Sequence, residues 1–171
     1  MTLARAIHAR PRLVRALQDA VRASRASASS HHPLHGRLGP ASIFRAPGSD
    51  VAYVAGWLDA TIGPATLDVG CIVGDLAECA STALLLGGDR LAVAVTAAIR
   101  ELAAGYAASL HPLPALFPAA VADVAALKIV EHVARFTRHI GDSGSSAFHL
   151  LTAAESLLHP DGWLIDALST H

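Results

Sequence analysis

Aromatic side chains are scarce in this chain: they make up 5% of its 171 residues, against an apolar fraction of 53%. A core short of rings is filled by aliphatic side chains, and alanine and leucine supply most of them here. That mix favours helices that approach one another closely over alanine-lined contacts. Lysine is scarcer still, occurring once, as Lys128. Only two cysteines are present, Cys71 and Cys79. Eight residues apart on one helix they stand about 12 Å apart along the axis, beyond the reach of a disulfide. No CxxC or His/Cys cluster suggests zinc, so small buried side chains are the plain expectation for both. Glycine-rich phosphate loops are missing too, with neither GxGxxG nor a Walker A motif.

Long unbroken apolar runs are also lacking, although the mean hydropathy of +0.43 is high. The longest stretch free of Asp, Glu, Lys and Arg runs from Leu102 to Ala122 and contains Gly105, His111, Pro112, Pro114 and Pro118. A spanning helix needs about 20 consecutive apolar residues, and prolines at this density break it. The expectation is no membrane segment, and apolar surface covered by a partner protein or a second copy. No apolar signal-peptide core survives the arginines at 5, 10, 12 and 15, so a cytoplasmic setting is expected.

Negative charge is almost absent from the first 45 residues, which hold eight arginines and one acid, Asp19, for a charge of +7. The remainder holds five basic and thirteen acidic residues, for −8, so the two parts attract. A solvated helix face accounts for the arginines more simply than a transit peptide or a nucleic-acid arm, and no nucleic acid is expected as partner.

What is present reads as mainly α, in one domain over 1–171. Residues 1–25 form an N-terminal helix, with Leu13, Val14, Leu17 and Val21 at helical spacing and Pro11 starting or kinking it. Residues 26–34 are a polar linker rich in Ser and His, without the fixed spacing a catalytic or metal cluster needs. Residues 35–70 carry a loop and a small β-hairpin at about 42–58: 42–46 and 51–58 read as strands around the turn PGSD, and IGP at 62–64 ends the extended segment. Residues 71–171 complete a helical bundle, with helices over about 66–86, 89–109, 116–140, 144–158 and 161–168. GGD and HPLP break the first pairs apart, and Gly141 follows the basic end Arg138–His139.

The string HGRLGPASI (His35 to Ile43), followed by AGWLDATIGPATLDVG (Ala55 to Gly70), resembles the aminoglycoside/choline phosphotransferase family, which has a protein-kinase-like fold. The family's loop reads H-G-D-x-H-P-x-N, followed by a hairpin and I-D-[WF]-E-x-A. His35, Gly36, Pro40, Trp57 and Ala60 match it, and GP at 63–64 and LD at 67–68 fit the segment after it. The later helices look like the family's C-terminal lobe. The resemblance implies that Asp68 is a structural brace for the loop. It also makes the departures chemically pointed. Arg37 stands where the family has its catalytic Asp, and a guanidinium offers no lone pair to accept a hydroxyl proton. Ser42 replaces a metal-binding Asn, Gly56 replaces the Asp that holds Mg²⁺, and Gly39 replaces the loop's second His. Asp59 is a possible substitute ligand, but three residues beyond Gly56 in an extended segment it points to the opposite face. About 34 residues precede His35, and the resemblance assigns them to a helix of the large lobe, not to a strand-borne Lys and a glycine-rich cover over ATP. The nucleotide-binding lobe is therefore expected to be absent.

Three functional readings follow. The first is a degenerate, truncated pseudokinase-like module with no working catalytic residue, no cofactor and no metal, acting by binding a partner or an anion. The second is a small-molecule kinase completed by another chain, using Mg and ATP with Asp59 and Ser42 as ligands. The third is an unrelated helical interaction protein, which a continuous helix over 42–58 would favour. Arg37 itself is a candidate phosphate or carboxylate site, against the plainer reading that it pairs with Asp59 or with water. His132, His139 and His149 have neither a HExxH setting nor a close acidic partner that would support a metal pair, and Ser81, Ser143, Ser145 and Ser146 lack a nucleophile elbow. Trp57 and Trp163 are expected as packing anchors.

Overall fold

The computed structural model describes residues 2–25, 32–109, 117–140, 144–159, 164, 165 and 168. Among them lie helices α1 (Leu3–His8), α2 (Pro11–Arg25), α3 (Thr66–Leu85), α4 (Asp89–Ser109), α5 (Phe117–Ile140) and α6 (Ser145–Leu157). Four short strands, β1 (His32–Leu34), β2 (Ile43–Arg45), β3 (Ala52–Val54) and β4 (Thr61–Gly63), make two antiparallel pairs. The mainly helical architecture and a hairpin within 42–58 are as expected.

The N-terminal helix, expected to be continuous or kinked, is two helices. Pro11 has no N–H to give to the Ile7 carbonyl, and its ring collides with the preceding turn. Arg10 N donates to Ile7 O instead, at 2.9 Å, and α2 begins at the proline. Thr2 caps α1, accepting from Arg5 N through its side chain.

The expected linker 26–34 is shorter than its bounds, because 32–34 is strand β1. It pairs with β4 in the register His32↔Gly63, Pro33↔Ile62 and Leu34↔Thr61. IGP ends the extended segment as expected, with Ile62 and Gly63 in its last strand. The strand expected over 51–58 does not run that far. It ends at Val54, after pairing Ile43↔Val54, Phe44↔Tyr53 and Arg45↔Ala52. Gly56 then takes the left-handed conformation (φ 86°), and Trp57–Asp59 form a 3-10 turn. The expected helix 161–168 and Trp163 fall on or beside residues outside those described.

α5 is the central helix, packed against α2, α3 and α6. It buries Val121, Ala122, Ala125, Ala126, Ile129 and Val133 in a core shared with Leu13, Ile99 and Leu151. Two glycines one turn apart set the α3–α5 distance. A Cβ on Gly70 would sit 2.4 Å from Val124 Cβ, and one on Gly74 would sit 2.8 Å from the Ala125 carbonyl. Backbones this close are the contact expected of a chain poor in rings. Among the described helices, α4 rests chiefly on α3, through Ala92 and Val95 against Ala80 and Ala83. Arg10 joins the basic and acidic parts of the chain, 3.4 Å from Glu155 and above the Phe148 ring. No described helix is long and apolar enough to cross a membrane.

Candidate functional site

The segment after β1 is held from below by one carboxylate. Asp68, in the first turn of α3, accepts from His35 N at 2.6 Å through Oδ2 and from Gly36 N at 3.0 Å through Oδ1. The His35 ring is buried at 3% exposure, and its Nε2 lies 2.8 Å from the Ala55 carbonyl. A carbonyl only accepts, so Nε2 donates; Nδ1 is buried with no partner among the described residues. One side chain thus ties the loop to the strand end beyond the hairpin. Gly36 (φ 80°) is required twice over, since a Cβ there would lie 2.0 Å from the Asp59 carbonyl oxygen.

Arg37 Nη1 stands 3.5 Å from Asp59 Oδ2, with both side chains more than half exposed. Asp59 lies in the 3-10 turn and not in the extended segment that the sequence suggested, so strand alternation does not govern where it points. An anion at Arg37 has to compete with this carboxylate. Ser42 Oγ turns to the Arg37 carbonyl at 3.5 Å, and its backbone joins the hairpin through Ala55 N at 2.9 Å. Gly56 offers no side chain. Mg²⁺ binding calls for free carboxylates converging on one point. Of the positions expected to hold it, only Asp59 has one, and that is shared with a guanidinium; these residues do not fit the metal.

Trp57 is no core anchor. It is 54% exposed, its Nε1 donates to the Val54 carbonyl at 3.0 Å, and its ring lies 4.9 Å from that of His35. Around it Phe44, Val51, Tyr53, Leu58 and Ile62 are all more than half exposed. The hairpin and the turn beyond it therefore present apolar surface, with every residue of β2 and β3 exposed.

A second cluster lies between α3 and α5. His132 Nδ1 meets Glu78 Oε2 at 2.5 Å, while His132 Nε2 and Lys128 Nζ each stand 3.9 Å from Asp75 Oδ1. The sequence reading expected no close acidic partner for His132; the structure supplies Asp75 and Glu78 from another helix. The retrievable signal was spacing: Asp75 and Glu78 share one face of α3, as Lys128 and His132 share one face of α5. Two adjoining clefts, about 300 and 390 Å³, run past this cluster; Glu78, Thr82, Leu86 and His132 line both. The apolar floor of the 300 Å³ cleft includes Leu85, Val133, Phe136 and Leu150. No group of three or more His, Cys, Asp or Glu side chains among the described residues is arranged to hold a metal.

The other singled-out groups have structural partners or stand alone. His149 Nε2 donates to the Ser81 carbonyl at 2.9 Å, and His139 is exposed. Both cysteines are free; burial, above all, raises the Cys71 thiol pKa, which suits an inert packed side chain, whereas Cys79, expected to be buried, is exposed. Asp123 is different in kind: burial first, then repulsion from Asp19, raises its pKa from 3.8 to about 6. Compared with family models, curated proteins and solved structures, the chain finds no match in any of the three.

Proposed function

We propose that this chain is a catalytically silent module resembling the C-terminal lobe of aminoglycoside/choline phosphotransferases, working in the cytoplasm by binding a partner protein. The carrying observation is the loop at 35–42. Asp68 and the His35 ring hold its first residues, Ala55 N donating to the Ser42 carbonyl holds its last, and the side chain it presents is Arg37, tied to Asp59. A loop so held positions whatever chemistry it bears, and here it bears none that accepts a hydroxyl proton or grips Mg²⁺. Losing one essential transition-state interaction costs roughly 10²–10⁴ in rate. Losing the base and the metal ligand together leaves binding as the retained role. The exposed hairpin surface of Phe44, Tyr53, Trp57 and Leu58 suits a protein partner, with aromatic anchors set among smaller apolar side chains.

The test is calorimetric titration of the purified chain with Mg-ATP, alongside a radiolabelled γ-phosphate transfer screen over small hydroxyl compounds. The expected result is no heat and no transfer. Transfer to any acceptor refutes the proposal, and saturable ATP binding turns the reading toward a kinase completed by another chain.

A further inference from the structure

The 300 Å³ cleft is apolar over most of its wall and acidic at one end. It opens between the C-terminal halves of α3 and α5 and the first turns of α6. Val133 and Ala147 are buried beneath it, while Leu85 and Phe136 stand 45% and 54% exposed beside it. Glu78, Thr82 and Leu85 follow one another along α3 at helical spacing and rise about 10 Å together. The wall thus passes from carboxylate through hydroxyl to hydrocarbon. The charges at the acidic end do not balance among themselves. Four groups meet there, Asp75 and Glu78 from α3, Lys128 and His132 from α5. Lys128 answers one carboxylate, and it lines neither cleft. A neutral His132 donates from Nδ1 to Glu78 Oε2 and leaves the second negative charge uncancelled. No described residue bonds the other oxygen of Glu78. Arg135, a further cation on α5, is paired with Glu131.

We propose that this cleft binds a small organic cation, an ammonium group on an apolar body, with the ammonium at Glu78 and Thr82 and the body over Val133 and Phe136. The gradient of the wall sets that orientation. An ammonium brings three donors, which the open oxygen of Glu78 and the Thr82 hydroxyl accept. The apolar body covers side chains that otherwise face water. A volume of about 300 Å³ lies at the small end of the range for ligand sites, so the occupant is a small molecule. Two carboxylates repel an anion, and a neutral alcohol leaves the charge on Glu78 unanswered. Glu78 is only 25% exposed, so its attraction for a cation is less screened than at the open surface. The inference does not rest on the phosphotransferase resemblance, since no residue lining this cleft lies in the 35–68 segment.

Calorimetric titration of the full chain at mildly alkaline pH, where histidine is neutral, tests it with three probes of one shape: phenylbutylammonium, phenylbutanol and phenylbutyrate. The ammonium is expected to bind at least about tenfold more tightly than the alcohol, and the carboxylate not at all. Amide NMR shifts induced by the ammonium are expected at Thr82, Leu85, Phe136 and Leu150. Glu78→Gln keeps the shape of the side chain and removes its charge. It should weaken the ammonium at least about tenfold and leave the alcohol within about threefold. Ser146→Phe, at an exposed position in the first turn of α6, puts a ring into the cleft without touching the ion pair and should abolish binding of both. Circular dichroism checks that each variant keeps its helices, and the probe series with Ser146→Phe decides the question even where Glu78→Gln does not fold. Wild type that binds no ammonium overturns the proposal. So do equal affinities for ammonium and alcohol, shifts that fall away from the cleft, or a folded Glu78→Gln or Ser146→Phe variant that binds the ammonium as wild type does.

Discussion

Replacing Asp68 by alanine tests the central physical claim about the loop. The perturbation removes two hydrogen bonds to a carboxylate, from His35 N at 2.6 Å and from Gly36 N at 3.0 Å. They are not equal. His35 is buried, so its amide loses its partner without ready replacement by water, which costs about 1.5–3 kcal/mol for a bond to a charged group. Gly36 is exposed, and water takes over its amide for about 0.5 kcal/mol or less. The sum is about 1.5–3.5 kcal/mol, a large share of a typical stability of roughly 5–15 kcal/mol. Asp68→Asn keeps one acceptor oxygen and should lose about half of that. Urea unfolding followed by circular dichroism gives the total. Amide hydrogen exchange gives its location, with protection at His35 falling far more than protection within α5. If Asp68→Ala shifts stability by less than about 0.5 kcal/mol while the His35 amide stays protected, the brace is absent and the loop is held by something else.

Two further outcomes follow from the packing and the charges. Gly70→Ala should destabilise by about 1–3 kcal/mol, since its Cβ would press on Val124 Cβ at 2.4 Å, where neither helix can yield alone; unchanged thermal unfolding would refute the close α3–α5 approach. Asp123, with its pKa raised from 3.8 to about 6, binds a proton more readily folded than unfolded. It therefore opposes folding above about pH 6, and that penalty fades as pH falls toward 3.8. Asp123→Asn should stabilise the protein at pH 7 by about 1 kcal/mol, the figure discounted because the side chain is only half-buried, and the gain should vanish near pH 4. Stability of both proteins measured at pH 4 to 8 checks the sign; a gain that grows on acidification would refute it.

What the sequence alone determined is what depends on neighbours a few residues away. Helices 66–85, 89–109, 117–140 and 145–157 lie within a residue of their expected bounds, because helical periodicity and breakers such as the GGD turn at 87–89 act locally. The hairpin was legible for the same reason, as two short runs around PGSD. Asp68 was singled out by resemblance and not by any local signal, since nothing in LDVG announces that its carboxylate will meet the amides of His35 and Gly36. The tertiary structure decided the rest. It paired β1 with β4 across some thirty residues, set Arg37 against Asp59, and delivered Asp75 and Glu78 to His132 from another helix. It also left Trp57 in water, where an aromatic in an apolar run suggested burial. Periodicity tells a residue which face of its own element it occupies. Which other element covers that face is settled only when the chain closes its long loops and the helices choose their neighbours.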